Sequence, residues 1–202
     1  VLGCQIAIGH ETSNIYMCGE PPGAIIVSTA VNSSNMELIE ANRLGIPIVH
    51  RSQALAALMK HRIGIAVCGT HGKTTTTSMM AITLQGLGAD PSYAIGSGLG
   101  ASGSNAHDGK GQYFVIEADE SDKSFLAYDP NFLIITNIEI DHVDQFDSIE
   151  EIDLLFEEFA KKTSNLNVVC GDDPGVQRLL KTGLSAATYG IGLQNNLVIS
   201  EI

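Results

Sequence analysis

Residues 69–75, with the sequence GTHGKTT, combine the residue types that bind phosphate groups in proteins. An apolar run precedes them and a helix-period segment follows, so their backbone N–H groups point into a concavity at the positive end of a helix. Lys73 adds a mobile positive charge for the β- and γ-phosphates of a nucleotide, and the Thr74 hydroxyl is placed to coordinate the accompanying Mg²⁺. The match covers the GKT core only, because Val67 stands where the full GxxxxGK[ST] pattern has its first glycine. An ordinary glycine turn beside a surface lysine is the alternative.

Two further polar segments each follow an apolar run. Residues 117–122, EADESD, carry four carboxylates, and residues 136–142, TNIEIDH, carry an amide, two carboxylates and an imidazole. Because the carboxyl ends of parallel strands share one rim of a sheet, both segments can face residues 69–75 and hold Mg²⁺. A solvated acidic turn remains the alternative for EADESD. A lone histidine is usually structural, but His142 lies beside Asp141, and neutral imidazole is an acceptable ligand for magnesium.

A glycine-rich segment at 98–103, GLGASG, matches the GxGxxG pattern of dinucleotide-binding loops. The residues that follow it offer no apolar helical face, and no βαβ unit with a later ribose-binding acid is evident. We therefore predict a mobile polar loop here.

The elements that must position these residues follow from the hydrophobic pattern. Strand-like apolar runs alternate with helix-period segments, which predicts an α/β fold with a parallel sheet and crossover helices. Strands are predicted at 5–8, 24–27, 46–49, 63–68, 93–95, 113–118, 132–136, 167–170 and 187–189. Helices are predicted at 36–44, 53–60 and 73–86, from Ser148 with a capping box, and after Pro174. A polar pair at 61–62 precedes the most apolar strand, and we predict a domain boundary there.

Composition narrows the classes of function. With 202 residues, 44% hydrophobic and 17% charged, the chain is expected to fold compactly. A net charge of -12 without a basic patch argues against nucleic-acid and membrane-surface partners. The sequence contains no membrane-spanning run and no signal peptide, so the cytoplasm is the expected location. The chain opens at Val1 in an apparent strand, which suggests a piece of a longer protein.

The segments GTHGKTTTT, EADESD and TNIEIDH, in this order and spacing, resemble the Mur ligases. Residues 26–31, 46–52 and 171–173 are also similar to that family, so the resemblance spans nearly the whole chain. It implies part of an N-terminal Rossmann-like UDP-sugar-binding domain at 1–62 and a central P-loop ATP-binding domain at 63–202. The family's C-terminal domain, and the position of its first glycine-rich loop, are expected to lie outside this sequence.

The resemblance also implies a function. The family uses ATP and Mg²⁺ to build peptidoglycan precursors for the cell wall, and hence serves cell shape and division. Ser121 favours the branch that joins L-alanine to UDP-N-acetylmuramate over a sister branch that attaches a tripeptide. Two further functions compete with this interpretation: an ATPase that only hydrolyses ATP, and a nucleotide-binding module without catalysis. The isolated fragment is expected to be inactive, and the oligomeric state is not predicted.

Site residues follow from the same resemblance. It implies catalytic roles for Lys73 and His142, and magnesium ligation by Thr74, Glu117 and His142. His71 and Asn137 are expected near the substrate or nucleotide. The residues expected to bind the ATP phosphates are Gly69, Thr70, His71, Gly72, Lys73, Thr74 and Thr75.

Overall fold

The computed structural model describes residues 3–99, 103–139, 146 and 148–200. The chain divides into two compact units, Val1–Ala57 and Leu58–Ile202. No helix in the described ranges is both long enough and apolar enough to cross a bilayer.

The first unit contains a parallel pair of strands, β1 (Ile25–Val27) and β2 (Ile48–His50), connected through helix α1 (Met36–Leu44). The Asn35 side chain caps α1 by accepting a hydrogen bond from a backbone N–H, and Gly45 ends it in the left-handed conformation. The helix has the predicted bounds 36–44, whereas the strands predicted at 24–27 and 46–49 lie at 25–27 and 48–50. A 3₁₀ helix spans Thr12–Tyr16.

One prediction in this unit is wrong. Residues 5–8 form no strand, although their pattern is apolar. Ile6 and Ile8 are largely exposed, because a strand exists only where a neighbour satisfies its backbone groups and covers a face. Helix α2 (Arg51–Met59) then follows β2 directly and runs to the start of the second unit.

The second unit is built on a mostly parallel sheet. Among the described residues its strand order is β10-β9-β8-β7-β3-β6-β4-β5, and neighbouring strands run parallel except for the antiparallel pair β4–β5. The strands are β3 (Ile63–Cys68), β4 (Ser92–Leu99), β5 (Ser104–His107), β6 (Tyr113–Glu117), β7 (Phe132–Ile135), β8 (Leu166–Cys170), β9 (Ala187–Gly190) and β10 (Leu197–Val198). Strand β3 lies between β6 and β7, so the carboxyl ends of these three strands are adjacent.

Helices α3 (Lys73–Gly86), α4 (Ile149–Lys161) and α5 (Pro174–Leu180) follow β3, β7 and β8. Helix α3 buries Ala81 against Ile65, Tyr93 and Val115, which gives the sheet a continuous apolar face on that side. Helix α4 begins as predicted: the Ser148 hydroxyl accepts a hydrogen bond from a backbone N–H in the first turn. The predicted α/β class with a P-loop ATPase-type parallel sheet is confirmed.

The prediction of a mobile polar loop at residues 98–103 is wrong for residues 98 and 99. Strand β4 continues to Leu99 and pairs with β5, with Leu99 opposite Ser104. Residues 100–102 lie outside the described ranges. The β5 segment is polar because all four of its residues are exposed at the edge of the sheet, and an exposed edge strand has no apolar face to reveal it in sequence.

Candidate functional site

The 69–75 loop connects the buried end of β3 to the first turn of α3, as predicted. Gly69 (φ 132°) and Gly72 (φ 80°) adopt backbone conformations that favour glycine. Gly72 occupies the N-cap position of α3, so no side chain caps the helix and its first N–H groups face the rim of the sheet. Thr75 is exposed in this first turn. The geometry can bind an anion.

The residues that follow β7 hold this loop in shape. Asn137 accepts a hydrogen bond from the His71 N–H (2.8 Å) and donates one to the His71 carbonyl (3.0 Å). The Thr136 hydroxyl donates to the same carbonyl at 2.6 Å. A Cβ on Gly69 would collide with that hydroxyl, so the close approach of loop and strand requires glycine. The Thr70 N–H completes the contact by donating to the Asn137 carbonyl at 3.1 Å.

The Lys73 ammonium lies inside the loop and has three acceptors. Its Nζ donates to the Gly69 carbonyl (2.8 Å), the Thr70 carbonyl (3.2 Å) and Glu120 Oε1 (3.0 Å). Its side chain is only 13% exposed. Because an ammonium carries three hydrogens, a phosphate oxygen would have to replace one of these acceptors.

Thr74 and Glu117 face each other across the strand-to-helix junction. The Thr74 hydroxyl donates to Glu117 Oε1 at 2.7 Å. The second oxygen, Oε2, accepts the backbone N–H of Gly96 on β4, also at 2.7 Å. A hydroxyl and an oriented carboxylate are oxygen ligands of the kind that Mg²⁺ prefers.

The interior behind the loop contains a buried acid. Burial raises the pKa of Glu120, and the neighbouring Lys73 ammonium opposes that effect. Burial likewise raises the pKa of the Cys68 thiol at the end of β3, with Glu120 adding to the shift. The site is therefore a partly dehydrated corner in which charges interact more strongly than in water.

The structure brings most of the predicted residues together. Residues 69–75, Glu117 and Asn137 lie around one corner of the rim. The His71 side chain is 63% exposed, with its Nε2 4.0 Å from a carboxylate oxygen of Glu139. Asp141 and His142 lie outside the described residues, so the predicted role of His142 stays a prediction.

Sequence reasoning did not single out three contributors: Glu120, Thr136 and Gly96. Glu120 was part of the acidic segment, but its partner Lys73 is 47 positions away in the chain. Thr136 directly precedes the predicted Asn137, and a hydroxyl at a strand end was the available signal. Gly96 contributes its backbone, which no sequence pattern singles out.

Comparison with known families covers nearly the whole chain. The Mur ligase middle domain matches residues 67–202. The domain described as the catalytic domain of the Mur ligase family matches residues 1–63.

Individual relatives agree with this assignment. UDP-N-acetylmuramate--L-alanine ligase from Desulforamulus reducens is 49% identical over 193 residues, covering 94% of this chain and 41% of that protein. The solved UDP-N-acetylmuramate-alanine ligase MurC from Thermotoga maritima is 31% identical with a TM-score of 0.78, over 94% of this chain and 42% of that chain. The UDP-N-acetylmuramate:L-alanyl-gamma-D-glutamyl-meso-diaminopimelate ligase from Neisseria meningitides is 27% identical with a TM-score of 0.80, over 94% of this chain and 64% of that chain.

The matched curated relatives are longer proteins, of which this chain spans about 40%. The middle-domain match alone covers more than half of the present sequence. The chain therefore belongs to the Mur ligase family.

Proposed function

We propose that the chain carries the ATP-binding core of a cytoplasmic ligase that joins L-alanine to the carboxylate of UDP-N-acetylmuramate. The observation that carries the proposal is the corner formed by Lys73, Thr74 and Glu117 at the carboxyl end of the sheet. The identity to proteins named for this reaction supports the choice of substrates. We assign residues 63–202 to the nucleotide and residues 1–62 to part of the UDP-sugar-binding domain.

The residues present fit a magnesium ion. Thr74 would offer a hydroxyl oxygen and Glu117 a carboxylate oxygen, the donor types that Mg²⁺ prefers, and the two oxygens already lie side by side. We propose these two as ligands, with His142 as a third. Bound there, Mg²⁺ supplies positive charge to the phosphate oxygens of the nucleotide.

In the proposed reaction, the muramate carboxylate attacks the γ-phosphorus of ATP and forms an acyl phosphate with release of ADP. The alanine amine then attacks the acyl carbon, and phosphate leaves from the tetrahedral intermediate. The protein acts mainly by positioning and electrostatics. Lys73 stabilises the charge that grows on the transferred phosphoryl group, and the uncapped N–H groups at the start of α3 orient the phosphates.

In this proposal Asn137 does not bind the nucleotide directly. Both ends of its amide already hydrogen-bond the backbone of His71. We therefore propose that Asn137 supports nucleotide binding by fixing the loop, while the exposed His71 side chain is free to contact the nucleotide or substrate.

The test uses the complete ligase that contains this chain. With ATP and Mg²⁺, we expect phosphate release to require both UDP-N-acetylmuramate and L-alanine. Release with ATP alone would favour a simple ATPase, and turnover with tripeptide instead of alanine would favour the sister ligase. Nucleotide binding without turnover would favour a binding module.

Substitution of Lys73 tests whether turnover depends on the proposed nucleotide site. Lys73→Ala should abolish turnover, because the transferred phosphoryl group loses its protein cation. Lys60→Ala is the matched control, since this exposed lysine precedes the opposite end of β3. Activity of Lys73→Ala within about tenfold of the unsubstituted enzyme would refute the role of Lys73.

A further inference from the structure

A buried carboxylate, Glu120, lies beside the lysine of the 69–75 loop. It follows β6 and is only 4% exposed. Its Oε1 accepts a hydrogen bond from Lys73 Nζ at 3.0 Å. Its Oε2 is buried and has no hydrogen-bond partner within the part of the chain that the structure describes. The charge of Glu120 is therefore balanced through Lys73.

An acid in such a place is costly. Burial disfavours the ionised carboxylate, and replacing a buried ion pair with well-packed apolar side chains is often neutral or stabilising. Glu120 is therefore not expected to contribute much to the stability of the fold.

The three acceptors of the Lys73 ammonium differ in origin. The carbonyls of Gly69 and Thr70 belong to the loop itself, whereas Glu120 follows a separate strand. That strand, β6, is paired with β3 along its length. A lysine has a long flexible stem, and Glu120 ties its end to the sheet independently of the loop.

We propose that Glu120 is a positioning residue of the nucleotide site, which holds the Lys73 ammonium where the terminal phosphates meet it. Glu120 acts through Lys73 and does not contact the nucleotide. The inference rests on the proposed function, because it requires nucleotide phosphates at the 69–75 loop.

If Glu120 positions Lys73, loss of the Glu120 charge should weaken nucleotide binding, whereas simple electrostatics predicts stronger binding. Removing a negative charge near bound phosphates relieves repulsion and, by itself, strengthens their binding. Removing the anchor of the lysine weakens binding. The direction of the change therefore separates a positioning residue from an acid that is merely nearby.

The test is calorimetric titration of the 202-residue chain with β,γ-imido-ATP and Mg²⁺. Glu120→Gln keeps the shape and removes the charge, whereas Glu120→Asp keeps the charge and withdraws it by one methylene. Each should weaken binding about tenfold, the scale of one hydrogen bond between charged groups. Glu157→Gln is the matched control: it makes the same charge change on α4, where Glu157 pairs with Lys161 at 2.7 Å, and should leave affinity unchanged.

A double substitution tests whether the effect of Glu120 on nucleotide affinity depends on Lys73. In a chain carrying Lys73→Met, the further change Glu120→Gln should cause no additional weakening, because the group that it positions is gone. Thermal unfolding of each variant identifies any loss of affinity that comes from loss of the fold.

The outcomes are distinguishable. Unchanged or tighter binding by folded Glu120→Gln and Glu120→Asp would overturn the role of Glu120 and leave the proposed function intact. Equal weakening by Glu120→Gln with and without Lys73→Met would overturn it as well. Failure of the unsubstituted, folded chain to bind the nucleotide would count against the proposed nucleotide site, and with it against Glu120.

Discussion

At the scale of single residues, the hydroxyl of Thr74 and the carboxylate of Glu117 depend on each other. The hydroxyl fixes one carboxylate oxygen, and the N–H of Gly96 fixes the other. In the proposed magnesium site, a carboxylate held from both sides would bind the cation with little reorganisation.

Substitution of Thr74 tests this arrangement. Thr74→Val preserves the shape but removes the hydroxyl, so we expect the Mg²⁺-dependent part of ATP-analogue affinity to fall about tenfold or more. Thr74→Ser retains the hydroxyl and should behave like the unsubstituted chain. Titrations with and without Mg²⁺ measure the difference. Equal Mg²⁺ dependence in both variants would show that Thr74 is not a ligand.

Residues in the contiguous GTHGKTT segment could be predicted because their chemistry is local: glycines, a lysine and hydroxyls follow one strand. Pairings across the sheet could not be predicted in the same way. Nothing in the sequence says which of four neighbouring acids meets Lys73, since that depends on the register of β3 against β6. In the structure it is the buried Glu120 whose carboxylate meets the Lys73 ammonium.

At the scale of elements, β4 has a role that its sequence concealed. It pairs with β6 only from Ser92 to Ala94 and then continues toward Leu99 beside Glu117. At Gly96, a Cβ would lie 2.9, 3.1 and 3.2 Å from atoms of the Glu117 carboxylate. A side chain at this position would therefore force the Glu117 carboxylate to move from where it lies.

We therefore expect Gly96→Ala to displace the Glu117 carboxylate from Thr74. The Mg²⁺-dependent affinity for the ATP analogue should fall about tenfold, while binding without Mg²⁺ stays the same. Gly86→Ala is the matched control, because a Cβ there meets nothing within 4 Å. An unaltered Mg²⁺ response of Gly96→Ala would remove Gly96 from the site.

Periodic and capped elements were predicted best. The helices at 36–44 and 73–86 have the predicted bounds, because helical hydrogen bonds are local. The Asn35 cap of the first of them is local as well. Strands depend on distant neighbours, and this explains both errors. The apolar residues 5–8 form no strand, whereas the polar β5 is a strand because it pairs with β4.

At the scale of the whole molecule, every described residue of the candidate site belongs to the second unit. That unit has a sheet and an apolar core of its own. Met59, near its start, is buried, and a Cβ on Gly64 would meet the Met59 side chain. The second unit thus includes Met59, whose side chain packs against the beginning of β3.

A chain of residues 58–202 should accordingly fold and bind the magnesium–nucleotide complex. We expect its dissociation constant to lie within about threefold of that of the full 1–202 chain, because a unit with its own core can fold alone. Titration calorimetry compares the two, with Lys73→Ala in each as the control. Loss of binding by a folded 58–202 chain would show that residues 1–57 complete the nucleotide site.

The hydrogen bonds between the 69–75 loop and the residues after β7 have a dynamic consequence. Thr136 and Asn137 satisfy backbone groups of His71, although His71 is exposed. Local opening of the loop must therefore break bonds to the end of an adjacent strand, so we expect its amides to exchange more slowly than those of an unattached surface loop. By its place in the chain the segment is a surface loop, but we expect it to unfold together with the ends of β3 and β7.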